Sequence, residues 1–134
     1  ELSLEPRNRA YMKIQNQGFD HVEFVLRDAV SHAKVYERMG FEKLGERRSE
    51  KRGTFSLLYG QGMVRIVLTQ SLGTAASATD ESVRFLNSQD QGVCVLAVDV
   101  ENATQAFEQA VAREAVRSMH SGTGNLSCSI EASK

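Results

Sequence analysis

The side chains of this 134-residue chain best suited to chemistry are three histidines and two cysteines. Cys94 and Cys128 admit two interpretations, a redox pair or separate thiols, and their spacing matches no zinc motif. Cys94 lies within an apolar run, which favours a buried, inert thiol. We expect His21 to be a hydrogen-bonded strand histidine, and His32 and His120 to be exposed. A single histidine cannot hold a divalent metal against water, so these residues by themselves indicate no metal site.

The remaining polar motifs indicate turns and solvated surface. Gly60-Gln61-Gly62 lacks the lysine and helix that follow the glycines of a phosphate-binding loop, so we predict a hairpin turn there. Residues 46–52 mix acidic and basic side chains, which favours a solvated hairpin over an anion site. The serines at positions 118, 121, 127 and 129 have no His–Asp pattern nearby, so no nucleophile is indicated.

Length and composition indicate one globular domain without an unusual partner. Apolar residues make up 41% and charged residues 25% of the chain, as in ordinary soluble domains. The 17 acidic and 16 basic residues give a net charge of -1, which argues against binding to nucleic acid or a membrane surface through bulk charge. No apolar run has the length of a membrane span, and no secretory signal is visible. Two cysteines suit a reducing compartment, so we expect a cytoplasmic protein.

The first half of the chain predicts a strand, a helix and three more strands. A β-branched and aromatic run at residues 19–26 favours the first strand. Asp28 can cap a helix over residues 29–39, and Gly40 is suited to end it. The further strands are expected at residues 42–48, 54–59 and 63–69. We expect the last of these to be buried.

The second half predicts a loop at residues 71–79, a short helix at 80–87, a strand at 93–100 and a second helix. Thr79 is expected to cap the short helix, and Asn102 the second. The inward positions are predicted to be Val83 and Leu86 in the short helix and Ala103, Phe107, Ala110 and Val111 in the second. A short strand at residues 126–130 completes the pattern.

The second strand–helix pair repeats the first. An offset of 74 residues, which places Asp28 on Asn102, also places Ala33 on Phe107, so caps and inward helix positions coincide. A repeat of this kind is one supersecondary unit used twice, here a βαβββ module of the α+β class. The second copy lacks some or all of its last three strands. We therefore expect residues to be missing after about Ala115, or another chain or domain to complete the sheet.

Several segments of the sequence, spanning about residues 16–113, carry a family resemblance. They are Gly18-Phe19-Asp20-His21-Val22-Glu23-Phe24, Tyr36-Glu37-Arg38-Met39-Gly40-Phe41, Arg52-Gly53-Thr54, Gln61-Gly62-Met63-Val64-Arg65-Ile66-Val67-Leu68-Thr69, and Gly92-Val93-Cys94-Val95 leading to Ala106-Phe107-Glu108-Gln109-Ala110-Val111. Together they resemble the vicinal oxygen chelate superfamily, and most of all the N-terminal domains of 4-hydroxyphenylpyruvate dioxygenases. The resemblance implies paired βαβββ modules that form a cupped mixed sheet with helices on its outer face.

Catalytic members of that superfamily hold a divalent metal with a histidine on the first strand, a glutamate near the end of the fourth, and their equivalents in the second module. Such ligands suit Fe(II), Mn(II), Ni(II) or Zn(II). The resemblance places His21 at the first position, Val67 at the second and Val95 at the second histidine position; Glu131 is the candidate for the last. Valine cannot coordinate a metal. We therefore expect no metal, cofactor-binding or catalytic residues in this chain, with His21 alone matching a ligand position.

The resemblance implies a non-catalytic N-terminal domain of a non-haem iron(II) 2-oxo acid dioxygenase that acts in tyrosine, and hence aromatic amino acid, catabolism. In such enzymes a downstream C-terminal domain holds Fe(II) with two histidines and one carboxylate, which leaves three positions for the 2-oxo acid and dioxygen. We expect this chain alone to be inactive, to pack against that catalytic domain and to form a homo-oligomer. The sequence does not separate a 4-hydroxyphenylpyruvate dioxygenase from a hydroxymandelate synthase, because the two diverge in the catalytic domain.

Two alternatives stay open. A stand-alone dimer of the bleomycin-resistance type would bind a ligand in a groove between protomers, but the chain has no Trp and three Tyr to line one. A glyoxalase-like metal-dependent lyase or isomerase would use His21 together with ligands from another chain, and Val67 and Val95 argue against it.

The predicted domain organisation is simple. Residues 1–15 are expected to be an N-terminal extension, of which the part before Met12 precedes a plausible native start. Residues 16–134 are expected to form one domain, with module one at 16–70, a linker at 71–90 and a partial module two at 91–134.

Overall fold

The computed structural model describes residues 16–117, 128 and 129. Its elements are β1 (Asn16–Val25), α1 (Ala29–Arg38), β2 (Glu42–Ser49), β3 (Thr54–Gln61), β4 (Val64–Ser71), a 3-10 helix (Ala75–Thr79), α2 (Glu81–Gln89), β5 (Gly92–Val100), α3 (Ala103–Ala112), β6 (Val116–Arg117) and β7 (Cys128–Ser129). Contacts divide the described residues into two compact units, one over Phe19–Val98 and one that contains residues 99–117. The predictions for residues 1–15, His120 and Glu131 lie outside the described residues.

Five strands form one mixed sheet in the order β2-β3-β4-β1-β5. The strands β2, β3 and β4 pair antiparallel, and β4 pairs parallel with β1. Because a parallel pair needs a long connection, α1 and two strands intervene between β1 and β4 in the chain. The predicted α+β class, and the strand–helix–three-strand order of module one, are confirmed.

The first helix packs on one face of this sheet through small residues. Ala29 and Ala33 are buried, and the Asp28 side chain accepts a hydrogen bond from the Ser31 amide at 3.1 Å, which confirms the predicted cap. Gly40 follows the helix with φ of +93°, a conformation that favours glycine. The core cluster comprises Leu26, Ala29, Ala33, Leu57, Tyr59, Ile66 and Leu68.

The turn of the β3–β4 hairpin lies later in the sequence than predicted. Gly60 and Gln61 belong to β3, and the turn is formed by Gly62 and Met63. Gly62 has φ of +57°, which suits a tight hairpin turn. The predicted burial of this strand is wrong at its start, because Met63 at the turn is 94% exposed. Burial in β4 begins at Ile66.

The connection to β5 contains more structure than the predicted loop and helix. A 3-10 helix precedes α2, and the Asp80 side chain accepts hydrogen bonds from the Ser82 and Val83 amides at 3.0 and 3.3 Å. The prediction that Thr79 caps α2 is therefore wrong: its hydroxyl instead donates to the Ala76 carbonyl oxygen. Burial of Val83 and Leu86 is confirmed.

The second unit contains α3, β6 and β7, and the last two pair antiparallel. Asn102 caps α3 by accepting a hydrogen bond from the Gln105 amide at 3.0 Å. This bond is the counterpart, 74 residues later, of the bond between Asp28 and Ser31. The predicted coincidence of the two helix caps is confirmed. The predicted inward position of Ala103 is wrong, because Ala103 is exposed whereas its counterpart Ala29 is buried.

Candidate functional site

The sheet has an apolar face toward α1 and a second face that carries polar groups. The register pairs Glu23 with Val67 and Val25 with Thr69 between β1 and β4, and Thr69 with Ser56 in β3. Side chains alternate between faces along a strand, and the neighbours of these residues in each strand belong to the core against α1 or pack on it. We call the side that carries Glu23, Ser56, Val67 and Thr69 the polar face.

Glu23 is the centre of a buried polar cluster on this face. Its side chain is buried, and its Oε1 atom accepts hydrogen bonds from Ser82 Oγ at 3.0 Å and from Cys94 Sγ at 3.4 Å. The three residues come from β1, α2 and β5. A buried carboxylate is costly unless donors satisfy it, so both donors stabilise the fold at this point.

The cluster also affects the acidity of Cys94, a free cysteine. Burial, and then the charge of Glu23, raise the pKa of the Cys94 thiol to about 12. The thiolate is the nucleophilic form, so this thiol is a weak nucleophile near neutral pH. Cys94 is partly rather than fully buried, and the inertness of its thiol stays a prediction.

A partly buried ion pair lies at the start of α2. Arg52 Nε donates to Asp80 Oδ2 at 2.8 Å, and the side chains are 22% and 4% exposed, respectively. The predicted solvated hairpin over residues 46–52 is therefore wrong for Arg52, although Glu46, Arg47, Arg48, Glu50 and Lys51 are exposed.

Sequence reasoning did not select Glu23, Arg52, Asp80 or Ser82. A charge inside the apolar run of β1, and an aspartate directly before a helix pattern, were the available signals. Neither signal identifies the partner, because the partners lie 59 and 28 residues away.

The residues at the metal-ligand positions implied by the family resemblance do not all lie together on one face of the sheet. His21 is partly exposed, and its Nδ1 atom lies 2.6 Å from Asp20 Oδ2. Val67 is paired with Glu23 in register. Val95 follows Cys94, whose side chain meets Glu23, so in a regular strand Val95 points to the opposite face. His32 is exposed on α1, as predicted.

This donor set does not fit a divalent iron. Among the described residues, no three His, Cys, Asp or Glu side chains are placed to share a metal ion. Val67 supplies no ligand atom beside Glu23, whose carboxylate oxygen already accepts two hydrogen bonds. The cluster is arranged for internal hydrogen bonding.

No helix in the described part of the chain is both long and apolar enough to cross a membrane.

Comparison with solved structures identifies the fold. Methylmalonyl-CoA epimerase from Mycobacterium tuberculosis matches with a TM-score of 0.68 and 18% identity, over 87% of this chain and 79% of that one. A Streptomyces coelicolor methylmalonyl-CoA epimerase in complex with 2-nitronate-propionyl-CoA matches with a TM-score of 0.65 and 13% identity, over 81% and 78%. At such identities the likeness shows a shared fold, which is that of the vicinal oxygen chelate proteins.

Comparison at the level of sequence identifies the family. A 4-hydroxyphenylpyruvate dioxygenase of Yarrowia lipolytica is 31% identical over 98 residues, which cover 71% of this chain. The chain spans about a quarter of the length of that relative. The family model described as hydroxyphenylpyruvate dioxygenase, HPPD, N-terminal matches residues 12–134. The chain therefore belongs to the family of hydroxyphenylpyruvate dioxygenase N-terminal domains.

Proposed function

We propose that this chain is the non-catalytic N-terminal domain of a 4-hydroxyphenylpyruvate-dioxygenase-like enzyme, a non-haem iron(II) 2-oxo acid dioxygenase of tyrosine catabolism. The observation that carries the proposal is the family match over residues 12–134. A dioxygenase relative of which this chain spans about a quarter supports it, because that length leaves room for a separate catalytic domain. Fe(II) and the aromatic 2-oxo acid would bind in that domain.

The chemistry of the polar face supports a structural role for this chain. On this face Cys94 donates a hydrogen bond to Glu23, which also accepts one from Ser82, and His21, two residues before Glu23 in β1, lies 2.6 Å from Asp20. Val67 stands where the resemblance calls for a carboxylate. These side chains hold α2 on the sheet and present no free pair of ligands to a substrate.

The outer strand β5 offers a surface for the catalytic domain. Leu96 and Val98 are 60% and 44% exposed there. Burying such side chains against another domain contributes roughly 25 cal/mol per Å² of apolar area. In this role the chain packs against the catalytic domain of the same protein and supports a homo-oligomer.

Iron binding and turnover test the proposal on the chain by itself. The chain is loaded with Fe(II) without oxygen and desalted, the iron is measured by mass spectrometry, and oxygen uptake is followed with 4-hydroxyphenylpyruvate. We expect far less than one iron per chain and no uptake. About one retained iron per chain that is lost in His21→Ala would contradict the proposal and favour the glyoxalase-like alternative.

A chimera tests the family assignment directly. The segment of the Yarrowia lipolytica enzyme that matches this chain is replaced by this chain. The matched control carries the Mycobacterium tuberculosis epimerase subunit, which has the same fold, in that place. We expect iron retention and oxygen uptake in the first chimera and neither in the second. Equal inactivity of both chimeras would count against a specific role beside this catalytic domain.

A further inference from the structure

Three polar contacts tie the connection between β4 and β5 to the polar face and to the residues just before β3. Ser77 Oγ donates to the Gly53 carbonyl at 2.6 Å, Arg52 Nε donates to Asp80 at 2.8 Å, and Ser82 Oγ donates to Glu23 at 3.0 Å. Ser77, Asp80 and Ser82 are all buried. We call residues 75–89, which comprise the 3-10 helix, Asp80 and α2, the cover segment.

The apolar part of this attachment is small. Val83 and Leu86 are the buried hydrophobic side chains that the cover segment contributes. α2 has nine residues, and an isolated helix of that length is not stable in water. Once its contacts with the sheet are lost, α2 therefore also loses its helical structure, which makes detachment a cooperative event.

The surface beneath the cover segment is partly polar. α2 packs against β4, in which Thr69 is fully buried and its hydroxyl lies 2.7 Å from that of Ser56. The Glu23 carboxylate lies on the same face, together with the aliphatic side chains of Val25 and Val67. Water can satisfy the hydroxyls and the carboxylate after detachment, so exposing this mixed face costs less than exposing the aliphatic core under α1.

We propose that the cover segment opens from the polar face as one unit while the sheet and α1 stay folded, with the Ser82–Glu23 and Asp80–Arg52 contacts as its latches. Opening removes Ser82 from Glu23 and Cys94. The polar face thus has a closed state and an open, hydrated state. Cys94 reports the difference, because its thiol is partly buried beside Ser82 and Glu23 in the closed state and becomes more exposed in the open one.

Thiol labelling measures this opening. Cys128→Ser leaves Cys94 as the one cysteine of the chain, and its modification by a chromogenic disulfide reagent is followed at urea concentrations well below the unfolding midpoint. We expect labelling at least about tenfold faster than global unfolding allows. Ser82→Ala removes a latch and is expected to raise the rate about tenfold. Ser88→Ala, an exposed serine on the same helix, is the matched control and leaves the rate unchanged.

Amide hydrogen exchange needs no thiol label and gives an independent measurement. Amides of α2 are expected to exchange sooner than those of β3 and β4, and Ser82→Ala is expected to accelerate α2 alone. Exchange of α2 together with β3 and β4 at the global rate would overturn the proposal, whether or not the variants fold. Equal labelling rates in Ser82→Ala and Ser88→Ala would show that the Ser82–Glu23 contact does not hold the cover segment closed.

Discussion

The ion pair between Arg52 and Asp80 gives a quantitative test of how α2 is held. The Asp80 carboxylate both caps the helix, through the Ser82 and Val83 amides, and accepts from Arg52 Nε. Asp80→Asn keeps a good capping residue, because asparagine ranks with aspartate at this position, but removes the charge. Asp80→Ala removes both the cap and the charge.

The structure sets the size of each effect. Loss of a helix cap costs about 1 kcal/mol. Removing one partner of a fully buried pair costs about 3–5 kcal/mol, because the other charge stays buried and unpaired. Arg52 keeps 22% of its side chain exposed, so solvent lowers that cost to about 2–3 kcal/mol. We expect a loss of about 2–3 kcal/mol in Asp80→Asn and about 3–4 kcal/mol in Asp80→Ala.

The measurement is the free energy of unfolding in urea, followed by circular dichroism. Asp28→Asn is the matched control, because Asp28 caps α1 in the same compact unit but is exposed and has no such ion pair. Its expected change is much smaller than that of Asp80→Asn. Combining Arg52→Met with Asp80→Asn closes a double-mutant cycle that isolates the pair.

One outcome refutes the reasoning about burial. If Asp80→Asn and Asp28→Asn differ by less than about 0.5 kcal/mol, the charge of Asp80 contributes nothing beyond its cap, and the pair behaves like a surface salt bridge.

Three further predictions concern the unit that contains the sheet. Tyr59 donates to Glu37 at 2.7 Å, and burial raises the pKa of this tyrosine to about 12, so Tyr59→Phe should cost about 1 kcal/mol and remove the latest phenol to ionise in an absorbance titration. Hydrogen bonds from Ser31 lower the pKa of Asp28 from 3.8, so its contribution to stability is present above that value and is lost as the pH falls through the lower folded pKa. Acid unfolding of Asp28→Ala should lack this component, and an unchanged pH profile would contradict it. Gly53→Ala should destabilise by more than about 1 kcal/mol in urea, because φ there is +66° and an added Cβ would lie 2.4 Å from the Ser77 amide; a neutral result would show that this loop relaxes freely.

Much of the fold was accessible from the sequence because its signals are local. The caps at Asp28 and Asn102 each involve a side chain and an amide three residues away, and apolar periodicity marks the strands and helices over a few residues. The 74-residue repeat follows from the same local signals. Thr79 and Asp80 are neighbours, and either residue type can cap a helix, so the local pattern does not decide between them. The cap is Asp80, which also pairs with Arg52 from the turn between β2 and β3.

The candidate site was much less accessible. His21 and Val67 were correctly placed on strands, but their chemical setting is determined by Glu23, Ser82 and Cys94, which lie on three separate elements. Which side chains meet depends on strand order and on register, and a single step in register moves a side chain to the other face. The sequence alone therefore determined the elements, the repeat and the family resemblance. The tertiary structure alone decided that a buried carboxylate meets a serine and a thiol, because the parallel pairing of β1 with β4 and the packing of α2 bring distant residues together.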